Sequence, residues 1–248
     1  MYETLAEVYD WLTPEALLEP EGSVAAFAVV IDELSAGARV LDCACGTGTL
    51  AVGLALQGFE VAASDASPAM VERTRALAAE WGVDVRPAVR RWEDLEGGPF
   101  DAVLCVGNSL THAPGRAGRR AALAGMRAVL GASESGDEAS GRGSGLLAIT
   151  SRNWERPQAG GEEEVERGGR RARVRHAWHA GEPPVLEVTV SFDDGTAHGE
   201  RLEHWPFTHD ELDADLRAAG FEPATSTWDP DVERYLVTSR ANSSKASR

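Results

Sequence analysis

Two glycines one residue apart, Gly46 and Gly48, close an apolar run, and an acid, Asp65, follows at the end of the next one. Glycine lets the backbone approach a ligand closely, and free amides at a helix start attract a negative group. An acid at the end of the following strand can accept hydrogen bonds from ribose hydroxyls. The pattern Gly46-x-Gly48-x-x-Ala51 therefore predicts a nucleotide-binding turn between a strand and a helix.

A second acid, Asp42, lies in the apolar run itself, ahead of the first glycine. A carboxylate there would repel a pyrophosphate and attract the ammonium group of an amino acid. S-adenosylmethionine carries both an adenosine and an amino acid. The loop pattern also leaves open a nicotinamide-dependent oxidoreductase and a protein that binds the cofactor without catalysis, and Asp42 argues against the oxidoreductase.

The segments around the loop alternate between strand and helix patterns. The apolar runs "ARVLDCA", "FEVAASD" and "FDAVLCVG" predict buried strands. The run "SPAMVERTRALAAEWG" predicts a helix with Ser67 as N-cap and Pro68 at its first position. Strands that alternate with helices pair in parallel through right-handed crossovers. We predict an α/β fold with a doubly wound, Rossmann-like sheet of seven strands.

The second half of the chain changes character. Three strand-like segments joined by Gly-containing turns lie between residues 170 and 206, which predicts a small antiparallel β insert. A stretch rich in Ser, Gly and acids predicts a flexible surface loop. The predicted boundaries are 1–155 and 207–240 for the main domain, 156–206 for the insert covering the acceptor site, 131–145 for the flexible loop and 241–248 for a disordered tail.

Charge argues against a nucleic-acid partner, because 40 acidic and 24 basic residues give a net charge of −16. One basic cluster, Arg167–Arg175, directly follows the acidic run Glu162–Glu166, so we expect the two to pair locally. No apolar run approaches the ~20 residues of a membrane span, and the first residues lack a signal-peptide pattern. We therefore expect a cytoplasmic protein without a membrane partner.

Cysteine and histidine spacing does not indicate a metal site. The three cysteines are odd in number and lie in strand-like segments, which predicts reduced thiols. Cys43 and Cys45 have neither a second pair nor a neighbouring His, so we expect no zinc and no other metal. The sequence does not define the oligomeric state, and a homo-oligomer stays open.

Four motifs in order resemble those of class I S-adenosylmethionine-dependent methyltransferases. They are "VLDCACGTG", "FEVAASDASPAM", "FDAVLCVGNSLTHAP" and "GLLAITSRNWE", and the similarity covers residues 36–156. Within the class, "GNSLTH" and "SRNW" are most similar to the glycine and sarcosine N-methyltransferases. The insert after "SRNW" also resembles that of amino-sugar N-methyltransferases.

The resemblance implies roles for individual residues. Gly46 and Gly48 would line the methionine part of S-adenosylmethionine, and Asp65 would hold its ribose. Arg91 and Trp92 stand where glycine methyltransferases have Asn-Trp against adenine, so this chain departs from the pattern at the first position. The implied cofactor-binding residues are Asp42, Ala44, Gly46, Gly48, Asp65, Ala66, Arg91, Trp92 and Leu104.

The resemblance also implies the chemistry of the second substrate. A small-molecule amine, with a glycine-like amino acid as the first choice, would be methylated on nitrogen, and an amino sugar is the alternative. Arg152 would clamp the carboxylate, because a guanidinium fork makes two parallel hydrogen bonds to it. Asn108 and His112 complete the expected catalytic set, and Tyr2, Tyr9 and Trp11 form a candidate cap over the cofactor.

Overall fold

The computed structural model describes residues 2–131 and 145–242. It contains a mostly parallel sheet of seven strands and a separate antiparallel sheet of four. The strands are β1 (Arg39–Asp42), β2 (Glu60–Asp65), β3 (Val85–Val89), β4 (Ala102–Cys105), β5 (Leu146–Arg152), β6 (Gly161–Arg167), β7 (Arg170–His179), β8 (Val185–Phe192), β9 (Ala197–Glu203), β10 (Thr225–Ser226) and β11 (Arg234–Arg240).

Helices connect the parallel strands and flank the sheet. The α-helices are α1 (Pro20–Ala25), α2 (Ala28–Ile31), α3 (Thr49–Leu56), α4 (Pro68–Trp81), α5 (Gly115–Val129) and α6 (His209–Ala218). Short 3₁₀ turns cover Ala6–Leu12, Glu15–Leu17, Trp92–Asp94 and Ser109–His112. The caps predicted for α4 are confirmed, since Ser67 Oγ accepts a hydrogen bond from Met70 N and Pro68 opens the helix.

The strand order in the large sheet is β10-β11-β5-β4-β1-β2-β3, as predicted for a doubly wound fold. The four pairings from β5 across to β3 are parallel, and β11 adds antiparallel to β5. Central strands β1 and β4 are buried along almost their whole length, because helices cover both faces. The carboxyl ends of β1, β2, β4 and β5 therefore meet at one edge.

The four-stranded sheet lies between β5 and α6 in the chain and corresponds to the predicted insert. The expectation of three strands was wrong by one, because residues 161–167 form β6 despite four glutamates. The register places Glu162 opposite Arg175 and Glu164 opposite Arg173. Arg173 lies within 3.2 Å of Glu162 and 3.5 Å of Glu164, so the predicted local pairing of acids and bases is confirmed.

The insert packs its apolar face onto the N-terminal segment. Leu5 and Val8 are buried against alternate residues of β7 and β8, such as Val174 and Val190. The opposite face carries the charged pairs, as expected for a half-solvated antiparallel sheet. The insert and the first 3₁₀ turn therefore form one layer beside the carboxyl edge of the large sheet.

The two segments expected to be flexible fall largely outside the described residues, namely 132–144 of the loop and 243–248 of the tail. The described ends are tied to the fold. Gly145 N donates to Gly131 O at 2.9 Å. Ala241 is fully buried and bridges Phe221, so the sheet edge extends two residues into the segment that we expected to be disordered.

Candidate active site

The glycine loop joins the carboxyl end of β1 to the start of α3. Gly46 and Gly48 both have positive φ, at 52° and 89°, which L side chains rarely adopt. A Cβ on Gly48 would lie 2.8–2.9 Å from side-chain and backbone atoms of Thr74. A Cβ on Gly46 would meet nothing within 4 Å, so this glycine faces open space at the carboxyl edge. Gly48 thus permits close packing, and Gly46 leaves room for a ligand.

Asp65 fixes the loop from the end of β2. Its Oδ2 accepts a hydrogen bond from Gly46 N at 3.1 Å, and its Oδ1 accepts one from Ser67 N at 2.9 Å. Each carboxylate oxygen keeps a lone pair for a further donor. The structure therefore brings Asp65 and Gly46 together as predicted, and it adds a structural role for this carboxylate that the spacing did not reveal.

Asp42 lies at the end of β1 and is 1% exposed. Burial raises the pKa of Asp42 to about 7, the Ala44 amide opposes this by hydrogen bonding, and the nearby charge of Asp65 adds to it. Burial likewise raises the pKa of Asp65. No Lys, Arg or His among residues 2–131 and 145–242 lies within 4.0 Å of either carboxylate. A buried acid and a half-buried one without a counter-cation favour a cationic ligand and disfavour a pyrophosphate.

The other residues expected at the cofactor have mixed environments. Trp92, expected against adenine, packs on the core under the sheet and donates its indole N–H to Cys43 O at 2.9 Å. Leu104 is 1% exposed, and its carbonyl already accepts from Cys43 N. Arg91 and Ala66 are exposed and Ala44 is half-buried. Trp92 and Leu104 therefore both hydrogen-bond to the backbone of Cys43, directly before the glycine loop.

Asn108 links the ends of β4 and β5. It adopts the left-handed conformation at φ 67°, and its Oδ1 accepts a hydrogen bond from Arg152 N at 2.9 Å. The side chain is 7% exposed. Asparagine tolerates this conformation better than most residues, which accounts for its position at a tight turn after a strand. Asn108 thereby sets the position of Arg152 through the backbone.

Arg152 ends β5 and is half-buried. A terminal guanidinium nitrogen of Arg152 donates a hydrogen bond to Gln158 Oε1, and the distance of 3.4 Å is long for such a bond. Burial lowers the pKa of Arg152, the charge of Arg234 lowers it further, and Glu233 opposes them. Within the described part of the chain, no carboxylate lies within 4.0 Å of this guanidinium. A half-buried guanidinium without an acid partner is a candidate anion site.

His112 follows β4 and joins three parts of the chain. Its Nε2 lies 3.0 Å from the Tyr2 hydroxyl, and its Nδ1 lies 2.9 Å from the carbonyl oxygen of Glu203 in β9. Burial lowers the pKa of His112, so the ring is neutral near pH 7. The structure therefore brings His112 to the interface of the large sheet, the insert and the N-terminal segment.

A cluster of rings separates the insert from the carboxyl edge of the large sheet. His204 lies 4.7 Å from His112, 5.0 Å from Trp178 and 5.4 Å from Trp154, measured between ring centroids. Both nitrogens of His204 and the indole nitrogen of Trp154 are buried without a hydrogen-bond partner. Burial lowers the pKa of His204 to about 3. Sequence reasoning missed His204, because an isolated His beside "WPF" carries no spacing signal.

The N-terminal aromatics divide between two roles. Tyr2 contacts Tyr9 edge-to-face at 5.6 Å and bonds to His112, so these two tyrosines lie at the candidate site. Trp11 instead packs on Phe192 of the insert at 5.2 Å. The guanidinium of Arg73 in α4 donates hydrogen bonds to the carbonyl oxygen of Ala6 and to the carboxylate of Asp10, which fixes this segment. Tyr2 therefore lies against His112 with Tyr9 beside it, whereas Trp11 packs on the insert. Whether the tyrosines cap the cofactor stays a prediction.

The described residues contain no group of three His, Cys, Asp or Glu side chains arranged to hold a metal ion. Over the same residues, no helix combines the length and the apolar character that crossing a membrane requires.

Known proteins are similar to this chain in sequence and in fold. Residues 40–132 match the family described as "Methyltransferase domain". The glycine/sarcosine N-methyltransferase of Parasynechococcus marenigrum (strain WH8102) is 32% identical over 201 residues, which are 78% of this chain and 66% of that protein. Human glycine N-methyltransferase is 35% identical over 136 residues, covering 47% of this chain and 41% of that protein. The alignments thus span less than two thirds of these relatives.

Among solved structures, the fold is similar to that of CalS10 from Micromonospora echinaspora, described as an amino pentose methyltransferase and solved with S-adenosylmethionine bound. The TM-score is 0.71 at 22% identity, and the match covers 97% of this chain and 98% of that one. The likeness therefore includes the insert as well as the large sheet.

Proposed function

Because this chain belongs to the class I S-adenosylmethionine-dependent methyltransferases, we propose that it methylates the nitrogen of a small amine, with a glycine-like amino acid as the acceptor. The observation that carries the acceptor proposal is Arg152, a half-buried guanidinium with no acid partner among the described residues. An amino acid would supply the missing carboxylate.

The residues at the glycine loop fit the cofactor. Asp42 is buried and Asp65 is half-buried, and a ligand carrying an ammonium and a sulfonium would neutralise both carboxylates. Gly46 leaves open space beside them. When bound there, S-adenosylmethionine supplies a methyl group already activated by its positive sulfur.

The remaining task of the protein is to position the amine and remove its proton. Arg152 would hold the acceptor carboxylate by a two-point contact, and Asn108 fixes the backbone of Arg152. Tyr2 and His112 stand at the same interface and provide a neutral base for a proton on the attacking nitrogen. Holding two reactants in line contributes about 7–11 kcal/mol to lowering a barrier of this kind. The insert and the ring cluster would exclude water from above.

An amino sugar is the second candidate acceptor. The fold match to an amino pentose methyltransferase extends over the insert, which in our proposal covers the acceptor. A sugar amine need not carry a carboxylate, so the two candidates make different demands on Arg152.

Steady-state methyl transfer to glycine, sarcosine and an amino sugar tests the proposal. Arg152→Lys keeps the charge but loses the planar fork, so the KM for an amino acid should rise while S-adenosylmethionine affinity stays unchanged. Arg152→Ala should lose about 2–5 kcal/mol of transition-state stabilisation if the pair is desolvated. Equal activity of the wild type and Arg152→Ala on glycine and sarcosine would remove Arg152 from the acceptor site.

A further inference from the structure

Arg152 has a second arginine directly opposite it. The antiparallel pairing of β5 and β11 places Arg234 in register with Arg152. Residues directly opposite in an antiparallel pair point to the same face with Cβ atoms about 4.5–5.5 Å apart. Two guanidinium groups therefore project side by side from the end of the large sheet.

Neither guanidinium has a counter-charge within ion-pair distance. Across residues 2–131 and 145–242, no Asp or Glu oxygen lies within 4.0 Å of Arg152 or Arg234, although the chain carries an excess of 16 negative charges. Glu233 acts on Arg152 only from a greater distance. Like charges directly opposite each other destabilise a sheet. Arg152 is half-buried and Arg234 is exposed, so the pair lacks an acid partner within ion-pair distance and an anion from solution can reach it.

The arginine pair faces the candidate active site. Burial lowers the pKa values of His176 and His204, in and beside the insert, and the charge of Arg152 lowers them further. Burial raises the pKa of Tyr9, the charge of Asp65 adds to this, and the charge of Arg234 opposes it; Tyr9 in turn contacts Tyr2 edge-to-face. The backbone N–H of Arg152 donates to Asn108 after β4, and Arg234 lies opposite Arg152, so the pair lies at the carboxyl edge of the large sheet, where we propose that the acceptor binds.

We propose that Arg152 and Arg234 together form a dianion subsite, so that the amine acceptor carries two negative charges close together. One carboxylate would satisfy one guanidinium fork and leave the other unpaired. A dicarboxylate or a phosphate-bearing group offers enough oxygens for both forks, and charge-assisted hydrogen bonds to each are the strong ones. This inference rests on the proposed N-methylation for the identity of the site, and it narrows the acceptor class.

The subsite can be tested without catalysis by titrating the whole chain with malonate, pyrophosphate and acetate. We expect at least one of the two polyanions to bind about tenfold more tightly than acetate or better, since hydrogen bonds to charged groups are the stronger ones. Arg234→Gln should bring that ratio to within about twofold, and Arg234→Lys should restore part of it. Arg86→Gln, which removes an exposed arginine from β3 on the far side of the sheet, should change nothing. Equal ratios in the wild type and Arg234→Gln would overturn the inference.

Methyl transfer then distinguishes the source of the two charges. Aspartate supplies a second carboxylate, a nucleoside-diphosphate-linked amino sugar supplies phosphates, and glycine supplies one carboxylate only. We expect kcat/KM to be highest for one of the dianionic amines, and Arg234→Gln should reduce that value about tenfold, whereas Arg86→Gln should not change it. Turnover of glycine alone, without polyanion preference, would overturn the subsite and leave the proposed function standing. Polyanion preference without methyl transfer to any amine would contradict the proposed function instead.

Discussion

The Tyr2 hydroxyl lies 3.0 Å from Nε2 of His112, and these two residues are 110 positions apart in the chain. The other ring nitrogen, Nδ1, lies 2.9 Å from the carbonyl oxygen of Glu203. A carbonyl only accepts hydrogen bonds, so Nδ1 carries the proton and Nε2 accepts from the Tyr2 O–H. The tyrosine oxygen keeps its lone pairs for an incoming amine proton, which His112 Nε2 can then accept through the hydroxyl.

We predict that Tyr2→Phe lowers kcat by about 10²-fold, the lower end of the range for general base catalysis. His112→Gln should cause a similar loss, because either change breaks the same path. The measurement is kcat across pH 6–9 with saturating cofactor. Tyr9→Phe is the matched control, since this ring contacts Tyr2 edge-to-face but makes no bond to His112. Similar slowing by Tyr2→Phe and Tyr9→Phe would indicate a packing role for both.

Asp42 should couple cofactor binding to proton release. Its pKa of about 7 reflects burial first and the nearby charge of Asp65 as a smaller contribution. A bound cation would lower that pKa, so affinity for S-adenosylmethionine should rise with pH, by at most about tenfold per unit, until pH 7. Calorimetry at pH 6.5 in two buffers of different ionisation enthalpy measures the released proton.

Asp42→Asn provides the comparison. This variant should bind the cofactor more weakly and without proton release, because an amide does not titrate. It should also remove a stability effect of defined sign. An acid with a raised folded pKa binds its proton in the folded state between about pH 4 and pH 7, so stability falls as pH rises through this window. Equal proton release in the wild type and Asp42→Asn would assign the titration to another group.

Local patterns predicted the parts of the site whose geometry is set within one strand-turn-helix unit. Gly46, Gly48 and Asp65 belong to such a unit, since the strand ends and the helix start fix their relation. The N-cap of α4 is equally local, and the structure contains it. In each case, residues only a few positions apart determine the local backbone geometry, so their spacing in the sequence is enough to predict it.

The contacts that sequence reasoning missed depend on pairing between distant segments. Strand β6 has the low β-propensity of a glutamate run and forms because three of its four acids lie opposite arginines of β7. Arg234 lies beside Arg152 only because of the register in which β11 pairs with β5, and the sequence does not reveal that register. Trp92 donates a hydrogen bond to the carbonyl of Cys43, 49 positions away, and no spacing in the sequence links these two residues. Its contact with adenine stays a prediction.

The two loop glycines should fail in different ways when changed to alanine. Gly48→Ala would place a Cβ within 2.9 Å of the Thr74 backbone, so the loop must shift away from α4. Gly46→Ala meets no protein atom but occupies the open side of the loop. An alanine at either position would lose about 1–2 kcal/mol of stability, because its Cβ disfavours positive φ. Gly48→Ala should lose about 1–3 kcal/mol more from overpacking.

Urea unfolding and cofactor titration separate the two effects. Gly48→Ala should show the larger loss of unfolding free energy. Gly46→Ala should show the larger loss of S-adenosylmethionine affinity relative to its loss of stability. The reverse order would mean that the ligand approaches the loop from the α4 side.

Asp215 on α6 organises the packing of α5 beneath the site. It is fully buried, and its two oxygens accept hydrogen bonds of 2.7–2.9 Å from Arg116, Arg119 and Arg120. Arg119 is itself 3% exposed and lies over the ring of Phe207 at 4.7 Å. Burial opposes ionisation of Asp215, but the hydrogen bonds from the arginines outweigh it and hold its pKa below the usual value. The carboxylate is therefore the counter-charge of a buried guanidinium.

We predict that Asp215→Asn costs about 3–5 kcal/mol of unfolding free energy, because it leaves Arg119 buried without a counter-charge. The contribution of a carboxylate with a depressed folded pKa is present above the unfolded value of about 4 and is lost as pH falls through the folded one. The difference between wild type and variant should therefore be full at pH 7 and shrink below pH 4. Asp213→Asn on the same helix is the control, since its exposed i,i+4 pair with Arg217 contributes about 0.5 kcal/mol. Urea midpoints at pH 7 and pH 3.5 measure both, and equal midpoints for the two variants would show that Arg119 finds another partner.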